Sequence, residues 1–437
     1  MPGKFPTMGF ETEFFTIGEN GGLLDKADGA INLLSKKKRV HLHMRKEVFR
    51  SMLEVGAYPG RQLREVERKY LCNLREILDV CSGHGLRLLP LGCYPAKADS
   101  KLRETPFTLA QARLYGKKRY KYSLSTVGFH FHYSLPRGIV EKSSRTIRSL
   151  RYSKAKDTFI NQYNFMVAAD PALITFCQSS PFHKGRHFAK DARVAVYRDL
   201  ILDKEGISGI HTEHENFGGL PGYEYTLHDL KVMSSRRKET FIGLLKSHCI
   251  PVPPRIRKFS NLRFMWGAVR VNRLGTLEYR GPDMNMPSIL FSSSYLARLA
   301  LGMIKSQNLQ MLPSDIGLEE PFKREGDTVY LPPFSKLKKL ELRSALRGFE
   351  SQQVHRYCSA LFNFVVRNAR KKDMKRLDAV SKMLLKKKTT SDEILEFVEK
   401  KGYSPDSVPN SVLREVALMH SERLYPDVEK TIRLLSG

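Results

Sequence analysis

The sequence predicts an α+β fold: one antiparallel β-sheet with a polar site on one face and helices packed on the other, followed by a basic helical C-terminal region. Three segments carry that prediction, because successive side chains on a strand alternate between its two faces. In Gly9-Phe10-Glu11-Thr12-Glu13-Phe14, the two glutamates share a face and Phe10, Thr12 and Phe14 take the other. In Gly128-Phe129-His130-Phe131-His132-Tyr133, the histidines share a face with Gly128 and oppose the aromatic rings. In Gly275-Thr276-Leu277-Glu278-Tyr279-Arg280, Glu278 and Arg280 align opposite Leu277 and Tyr279. One antiparallel sheet with a polar face explains all three pairs together.

At 437 residues, 41% of them hydrophobic, the chain is long enough for one large domain with an appendage or for two domains. The change in character near residue 335 suggests a catalytic-sized unit over 1–335 and a helical region over 336–437. Lys and Arg number 74 against 45 Asp and Glu, a net charge of +29, which favours an acidic partner: nucleic acid, an anionic membrane surface or small polyanions such as nucleotides. The six cysteines are scattered without a C-x-x-C pair, as expected of reduced thiols in a cytoplasm. The longest apolar runs, such as Ala360–Val366, are too short to span a bilayer, and the N-terminal residues lack a signal-peptide pattern. A cytoplasmic protein without membrane association is expected.

The elements follow in order. Gly18-Glu19-Asn20-Gly21-Gly22 reads as a hairpin turn after the first strand, and Lys36-Lys37-Lys38-Arg39 as a charged surface loop. Residues 61–84 repeat apolar side chains at three and four, a helix stopped by Gly83 and Gly85, and Leu86–Leu91 reads as a strand. An apolar helix over 157–178 is expected to break near Asp170-Pro171. Ser179–Arg186 is a donor-rich loop, with Arg193 and Arg198 just beyond it. Residues 206–223 read as a mobile substrate loop; their His211-Thr212-Glu213-His214-Glu215 run lacks the helical four-residue spacing of a zinc motif. Met265–Asn272 pairs with 275–283 as two antiparallel strands, and a long helix starts at Pro287. Further on, Thr390-Ser391-Asp392-Glu393 forms a capping box for a helix that Gly402 stops.

The same-face pairs allow more than one chemistry. Glu11 and Glu13 could be two solvated glutamates on an edge strand, or oxygen ligands of magnesium or manganese, since adjacent carboxylates repel unless a cation lies between them. His130 and His132 could be satisfied strand histidines, metal ligands or contacts to phosphate and carboxylate. Glu278 beside Arg280 could be a surface ion pair, or a carboxylate that holds a cation next to a guanidinium that meets a transferred charge. The interleaved Lys117-Lys118-Arg119-Tyr120-Lys121-Tyr122 cluster keeps a basic nucleic-acid-binding protein in view as the alternative class.

Taken as an ordered set, Gly-Phe-Glu-Thr-Glu-Phe at 9–14, Glu47 with Met52-Leu53-Glu54, Gly-Phe-His-Phe-His at 128–132, Ser-Ser-Pro-Phe-His-Lys-Gly-Arg at 179–186, Gly-Leu-Pro at 219–221 and Gly-Thr-Leu-Glu-Tyr-Arg-Gly-Pro-Asp at 275–283 resemble the carboxylate-amine ligase family of glutamate-cysteine ligases, a branch of the glutamine synthetase superfamily. The likeness covers about residues 8–305. It implies a glutamine synthetase-like catalytic domain that uses ATP and Mg2+ (or Mn2+) to form a γ-glutamyl amide from glutamate and an amine, cysteine first, through an acyl phosphate. By the same resemblance Glu11, Glu13, Glu54, His130 and Glu278 would be metal ligands, and Glu47 would sit at the nucleotide or metal edge. His132 and Arg193 would bind substrate or phosphate, and Arg280 would stabilise the transferring phosphoryl group. A homodimer is compatible with the family. After Glu54 the chain reads Val-Gly-Ala-Tyr-Pro, where such enzymes show a more polar stretch, so a different carboxylate or amine is the alternative within the class.

Overall fold

Strand β1 (Met8–Ile17) runs through the middle of the main sheet in the computed structural model, which describes residues 6–35, 43–141, 143–149, 153–198, 209–211 and 217–436. After it come helix α1 (Ala27–Ser35), strands β2 (His43–Lys46) and β3 (Met52–Gly56), helix α2 (Leu63–Ser82), strand β4 (Arg87–Leu89), helices α3 (Pro106–Tyr115) and α4 (Lys117–Ser123), and strand β5 (Phe129–Ser134). Helix α5 (Lys154–Cys177) leads to a small hairpin of β6 (Phe182–His183) and β7 (Arg186–His187), then to α6 (Ala192–Arg198), α7 (Leu227–Ser247) and α8 (Pro254–Arg257). Strands β8 (Val269–Asn272) and β9 (Thr276–Tyr279) precede α9 (Pro287–Gln307). The main sheet has the order β2-β3-β1-β5-β9-β8, with β4 also beside β1, and every pairing in it is antiparallel.

Alternation in β1 and β5 sorts the two faces. Phe10 packs against Tyr70 of α2 at 4.8 Å between ring centroids and against Phe291 of α9 at 4.9 Å, with Phe129 alongside. Thr12, on the same face, donates to Val55 O at 3.0 Å and shares a 2.5 Å hydrogen bond with Tyr70. Each such ring removed from water contributes about 2–3 kcal/mol before ordering costs. The helical layer therefore lies behind the sheet, and the polar face is left for the site.

A second small sheet follows: β10 (Gln310–Pro313), then α10 (Asp315–Glu319), β11 (Arg324–Glu325) and β12 (Thr328–Leu331), ordered β10-β12-β11 with β10 and β12 parallel. The remainder is helical: α11 (Phe334–Arg347), α12 (Gln352–Val366), α13 (Lys371–Met374), α14 (Asp378–Lys386), α15 (Thr390–Lys400) and α16 (Asn410–Ser436). These helices join the same hydrophobic core, which runs without a gap from Met8 to Leu435. Buried charges also cross the divide: Glu67 of α2 pairs with Arg376, and Arg198 of α6, already paired with Asp170 of α5 at 2.5 Å, reaches Glu341 of α11 at 2.5 Å.

Several expectations change. Helix α5 passes through Pro171 without a break; it is buried from Phe159 to Cys177, and Thr175 donates its hydroxyl to Pro171 O at 2.7 Å, so packing outweighs the hydrogen bond that proline removes. The turn at Gly18–Gly22 brings the chain back only as far as Leu23 and Leu24 before α1 starts, so no second long strand follows it. The capping box belongs to Thr389 and Asp392, one residue earlier than the sequence pattern placed it. In α4, Tyr120 and Tyr122 are buried at 0% and 8% exposure, which takes both rings away from the base-stacking role considered for that cluster. The Lys36–Arg39 loop and most of the 206–216 stretch lie outside the described residues.

Candidate active site

Strand register assembles the polar face. Glu11 stands opposite His130, Glu13 opposite Glu54, His132 opposite Glu278, and Glu278 opposite Arg270. Directly opposed residues project to the same side of a sheet, so strands distant in sequence deliver their side chains to one spot. His130 is the hub. Its Nδ1 lies 3.3 Å from Glu11 Oε2 and 3.9 Å from Glu278 Oε1, and its Nε2 lies 3.5 Å from Glu13 Oε1. Two overlapping groups, Glu11 with His130 and Glu278, and Glu13 with Glu54 and His130, keep their ligand atoms within 4.8 Å of one another. All five residues expected to hold a metal thus converge.

The chemistry of this set fits a hard divalent cation. His130 Nε2 and His132 Nε2 are buried with no hydrogen-bond partner among the described residues, and carboxylate oxygens surround them. Burial, and then repulsion from Glu11, Glu47 and Glu13, push the Glu54 carboxyl up to about 10. Burial and Glu13 push Glu47 up to about 8. Glu11 is pulled the other way: burial opposes its charge, but the hydrogen bond with His130 and the neighbouring His132 imidazole prevail and hold it well below the usual range. More carboxylate is gathered than the face can ionise unaided, and a bound cation reverses that balance.

Arginines frame the cluster. Arg270 grips both oxygens of Glu278, Nε to Oε2 at 2.7 Å and Nη2 to Oε1 at 2.8 Å, and Asn272 donates to the same carboxylate. Arg280 Nε is 3.5 Å from Glu278 Oε1. Burial opposes the Glu278 charge, yet Arg270, His132 and Arg280 hold its carboxyl low. On the open edge Arg45 bridges Glu11 at 3.2 Å and Glu54 at 3.3 Å. His132 is turned partly away, with Nδ1 2.9 Å from Thr276 Oγ1 and Nε2 3.7 Å from Glu11. Arg193 donates to the carbonyls of Gly281 at 2.9 Å and Arg280 at 3.3 Å, and so holds the backbone that carries Arg280. Its guanidinium occupies the space a side chain at 128 would fill, which accounts for Gly128.

Two cavities meet at this face. One, of about 370 Å3, contains the Glu11, Glu13, Glu54 and His130 cluster and is rimmed by Arg263, Arg270 and Arg273. The other, of about 220 Å3, is lined by Thr126, Arg193, Tyr197 and His211. Glu13, Glu47, Phe107, Trp266 and Arg280 border both. Trp266 belongs to an aromatic cluster, 5.4 Å from Phe217 and 5.5 Å from Phe241, that backs the partition. Sequence reasoning missed Arg270, Asn272 and Trp266. The first two were within reach, because they alternate on β8 as Glu278 and Arg280 do along the next strand.

Residues 7–406 match the family model described as glutamate-cysteine ligase family 2. A Bdellovibrio bacteriovorus protein provisionally named glutamate–cysteine ligase 2 is 26% identical over 186 residues, covering 40% of this chain and 40% of that protein. A Gloeobacter violaceus protein with the same provisional name is 22% identical over 241 residues, covering 53% of this chain and 57% of that one. The chain therefore aligns with about half the length of these relatives. Among solved structures, glutamate–cysteine ligase from Francisella tularensis in complex with AMP superposes with a TM-score of 0.61 at 13% identity, over 99% of this chain and 92% of that one. A bifunctional glutathione synthetase from Pasteurella multocida superposes with a TM-score of 0.57 at 12% identity, over 96% of this chain and 53% of that one. At such identities the superpositions establish a shared mixed α/β fold.

Proposed function

Because the chain belongs to glutamate-cysteine ligase family 2, we propose that it is an ATP-dependent ligase that joins the γ-carboxylate of glutamate to an amine, with cysteine as the first candidate. The observation that carries this reading is the His130-centred cluster beside Arg280, on one sheet face where two cavities meet. Two cavities sharing a charged border suit a reaction that must bring a phosphate donor and an amino acid together.

In this reading the γ-carboxylate attacks the γ-phosphorus of ATP, the bond to the ADP oxygen breaks, and an acyl phosphate forms. The amine nitrogen then attacks the acyl carbon, phosphate departs with its oxygen, and the nitrogen loses a proton. Glu11, Glu13, Glu54, His130 and Glu278 would hold Mg2+ or Mn2+, which supplies charge neutralisation for the phosphates. Arg280 donates to the transferring phosphoryl group, and Arg193 keeps Arg280 in place through the 280–281 backbone while it faces the smaller cavity. His132 stands behind Glu11 on the substrate side, and Glu47 closes the border between the cavities. Catalysis is assigned to residues 1–335 as a glutamine synthetase-like unit, with 336–437 bracing it through the shared core. A cytoplasmic setting supplies both ATP and reduced thiol.

Incubation with ATP, Mg2+, glutamate and a panel of amines tests the reading. ADP release is expected only when glutamate and a competent amine are both present. Absence of turnover with every amine in the panel, or product formed without ADP, contradicts it; the latter outcome would mark a metal-dependent hydrolase.

A further inference from the structure

Away from the sheet face, a cavity of about 680 Å3 opens between the 217–224 loop, helix α7 and the start of α11. Arg237 of α7 lines it and is only 7% exposed. Its Nε and Nη1 have no hydrogen-bond partner among the described residues, and none of the described carboxylates forms an ion pair with it. A buried guanidinium with unsatisfied donors and no contact ion pair is costly, and burial pulls its proton affinity below that of an ordinary arginine, although Tyr163 and Glu224 nearby act in the opposite sense. Such a group is built for an anion that is bound part of the time.

The cavity offers the opposite charge as well. Glu224 is fixed by its own backbone, which donates to Asn164 Oδ1 at 2.9 Å and accepts from Asn164 Nδ2 at 2.8 Å, while its side chain lines the cavity. Burial pushes its carboxyl up to about 7, so a cation placed beside it would restore its charge. The other carboxylate there, Asp229, is already spent on capping α7, accepting from Thr226 N at 2.8 Å and Thr226 Oγ1 at 2.9 Å. Leu220, Met233 and Phe334 supply apolar wall.

We propose that this cavity binds a small free α-amino acid as its zwitterion, with the carboxylate on Arg237 and the ammonium on Glu224. The pocket lies next to the reaction site. Arg237 Nη1 is 3.8 Å from where a Cβ on Gly267 would stand, and Gly267 lines the 220 Å3 cavity. The amino acid would thus be either the acceptor amine on its way to the sheet face or an effector sensed across the thin Gly218–Gly222 partition. Binding itself needs neither ATP nor a cation, so the assignment stands or falls separately from the ligase reading.

Titration calorimetry on the full chain without ATP or Mg2+ tests it, using glycine, serine, cysteine and glutamate. The controls are ethanolamine, which lacks the carboxylate, and propionate, which lacks the ammonium. At least one amino acid should bind, and neither control should. Arg237→Met should weaken that binding about tenfold or more, with a melting temperature no lower than wild type because a buried unpaired charge has gone. Glu224→Gln should weaken it less, and Arg280→Gln should leave it unchanged. No binding by any of the four, equal binding of either control, or binding that survives Arg237→Met overturns the proposal. Under turnover conditions, labelled amino acid recovered in the product marks the acceptor, and a changed rate without incorporation marks the effector; both outcomes uphold the pocket.

Discussion

Arg270 holds Glu278 by a two-pronged contact, 2.7 Å and 2.8 Å, at a position where Glu278 is wholly buried. The guanidinium fork matches the two carboxylate oxygens and fixes the one, Oε1, that faces His130 and Arg280. Lysine keeps the charge and loses the fork. Arg270→Lys should therefore lower kcat about a hundredfold through misplacement of Glu278, with a small change in melting temperature. Wild-type kcat in this variant would show that the grip has no part in catalysis.

Glu278 itself is best tested with a near-isostere. Alanine would leave Arg270 and Arg280 facing an emptied, dry site, a loss of about 3–5 kcal/mol, so low activity in that variant would be ambiguous. Glu278→Gln and Arg280→Gln should each reduce ADP release about 10²- to 10³-fold while far-UV circular dichroism stays native. Either variant retaining wild-type turnover would remove that residue from the site.

Cation binding has a readout that needs no turnover. A ligand held by the folded state alone stabilises it by about 2.7 kcal/mol at a hundred times its Kd. Mg2+ or Mn2+ should raise the melting temperature of the wild-type chain, a chelator should reverse the gain, and Glu13→Gln or His130→Asn should abolish it. An equal shift in all three proteins would place the cation elsewhere.

Acid should weaken the fold through two histidines remote from the reaction. Burial, with Lys184 adding to it, depresses His183 to about 3, and burial depresses His420 to about 4. Both stay neutral in the folded state at pH values where an unfolded histidine, with a pKa of about 6.5, is charged. The stability they confer is complete above about pH 6.5 and is lost as pH falls towards 4, each histidine adding up to about 1.4 kcal/mol per pH unit to the slope. The raised Glu47 and Glu54 carboxyls act in the opposite sense, so the histidine contribution is read by difference: between about pH 6.5 and 5 the melting temperature of His420→Asn should rise relative to wild type as pH falls. An unchanged slope in that variant would contradict the assignment for His420.

The sheet and its polar face were legible because period-two alternation survives in a single sequence: Glu11/Glu13, His130/His132 and Glu278/Arg280 each announce a face. Their mutual pairing follows from the fold, since Glu11 and His130 become neighbours only through the β1–β5 register. Arg270 was hidden because a lone strand arginine looks like any solvated charge until its partner strand is placed. Pro171 misled for a related reason, as tertiary packing around α5 overrides a local helix-breaking signal. The helical character of 336–437 was legible in its basic composition and the capping signal at Asp392, whereas its entry into the same core depends on long-range contacts such as Arg198 with Glu341.

The central claim is that glutamate is activated by phosphorylation at its γ-carboxylate on the His130 face. Turnover with glutamate carrying 18O in that carboxylate, ATP, Mg2+ and the amine that supports ADP release, followed by mass analysis of the phosphate, tests it most directly. The mechanism predicts one 18O transferred to inorganic phosphate for each amide formed. Amide and ADP produced with phosphate free of 18O would contradict it.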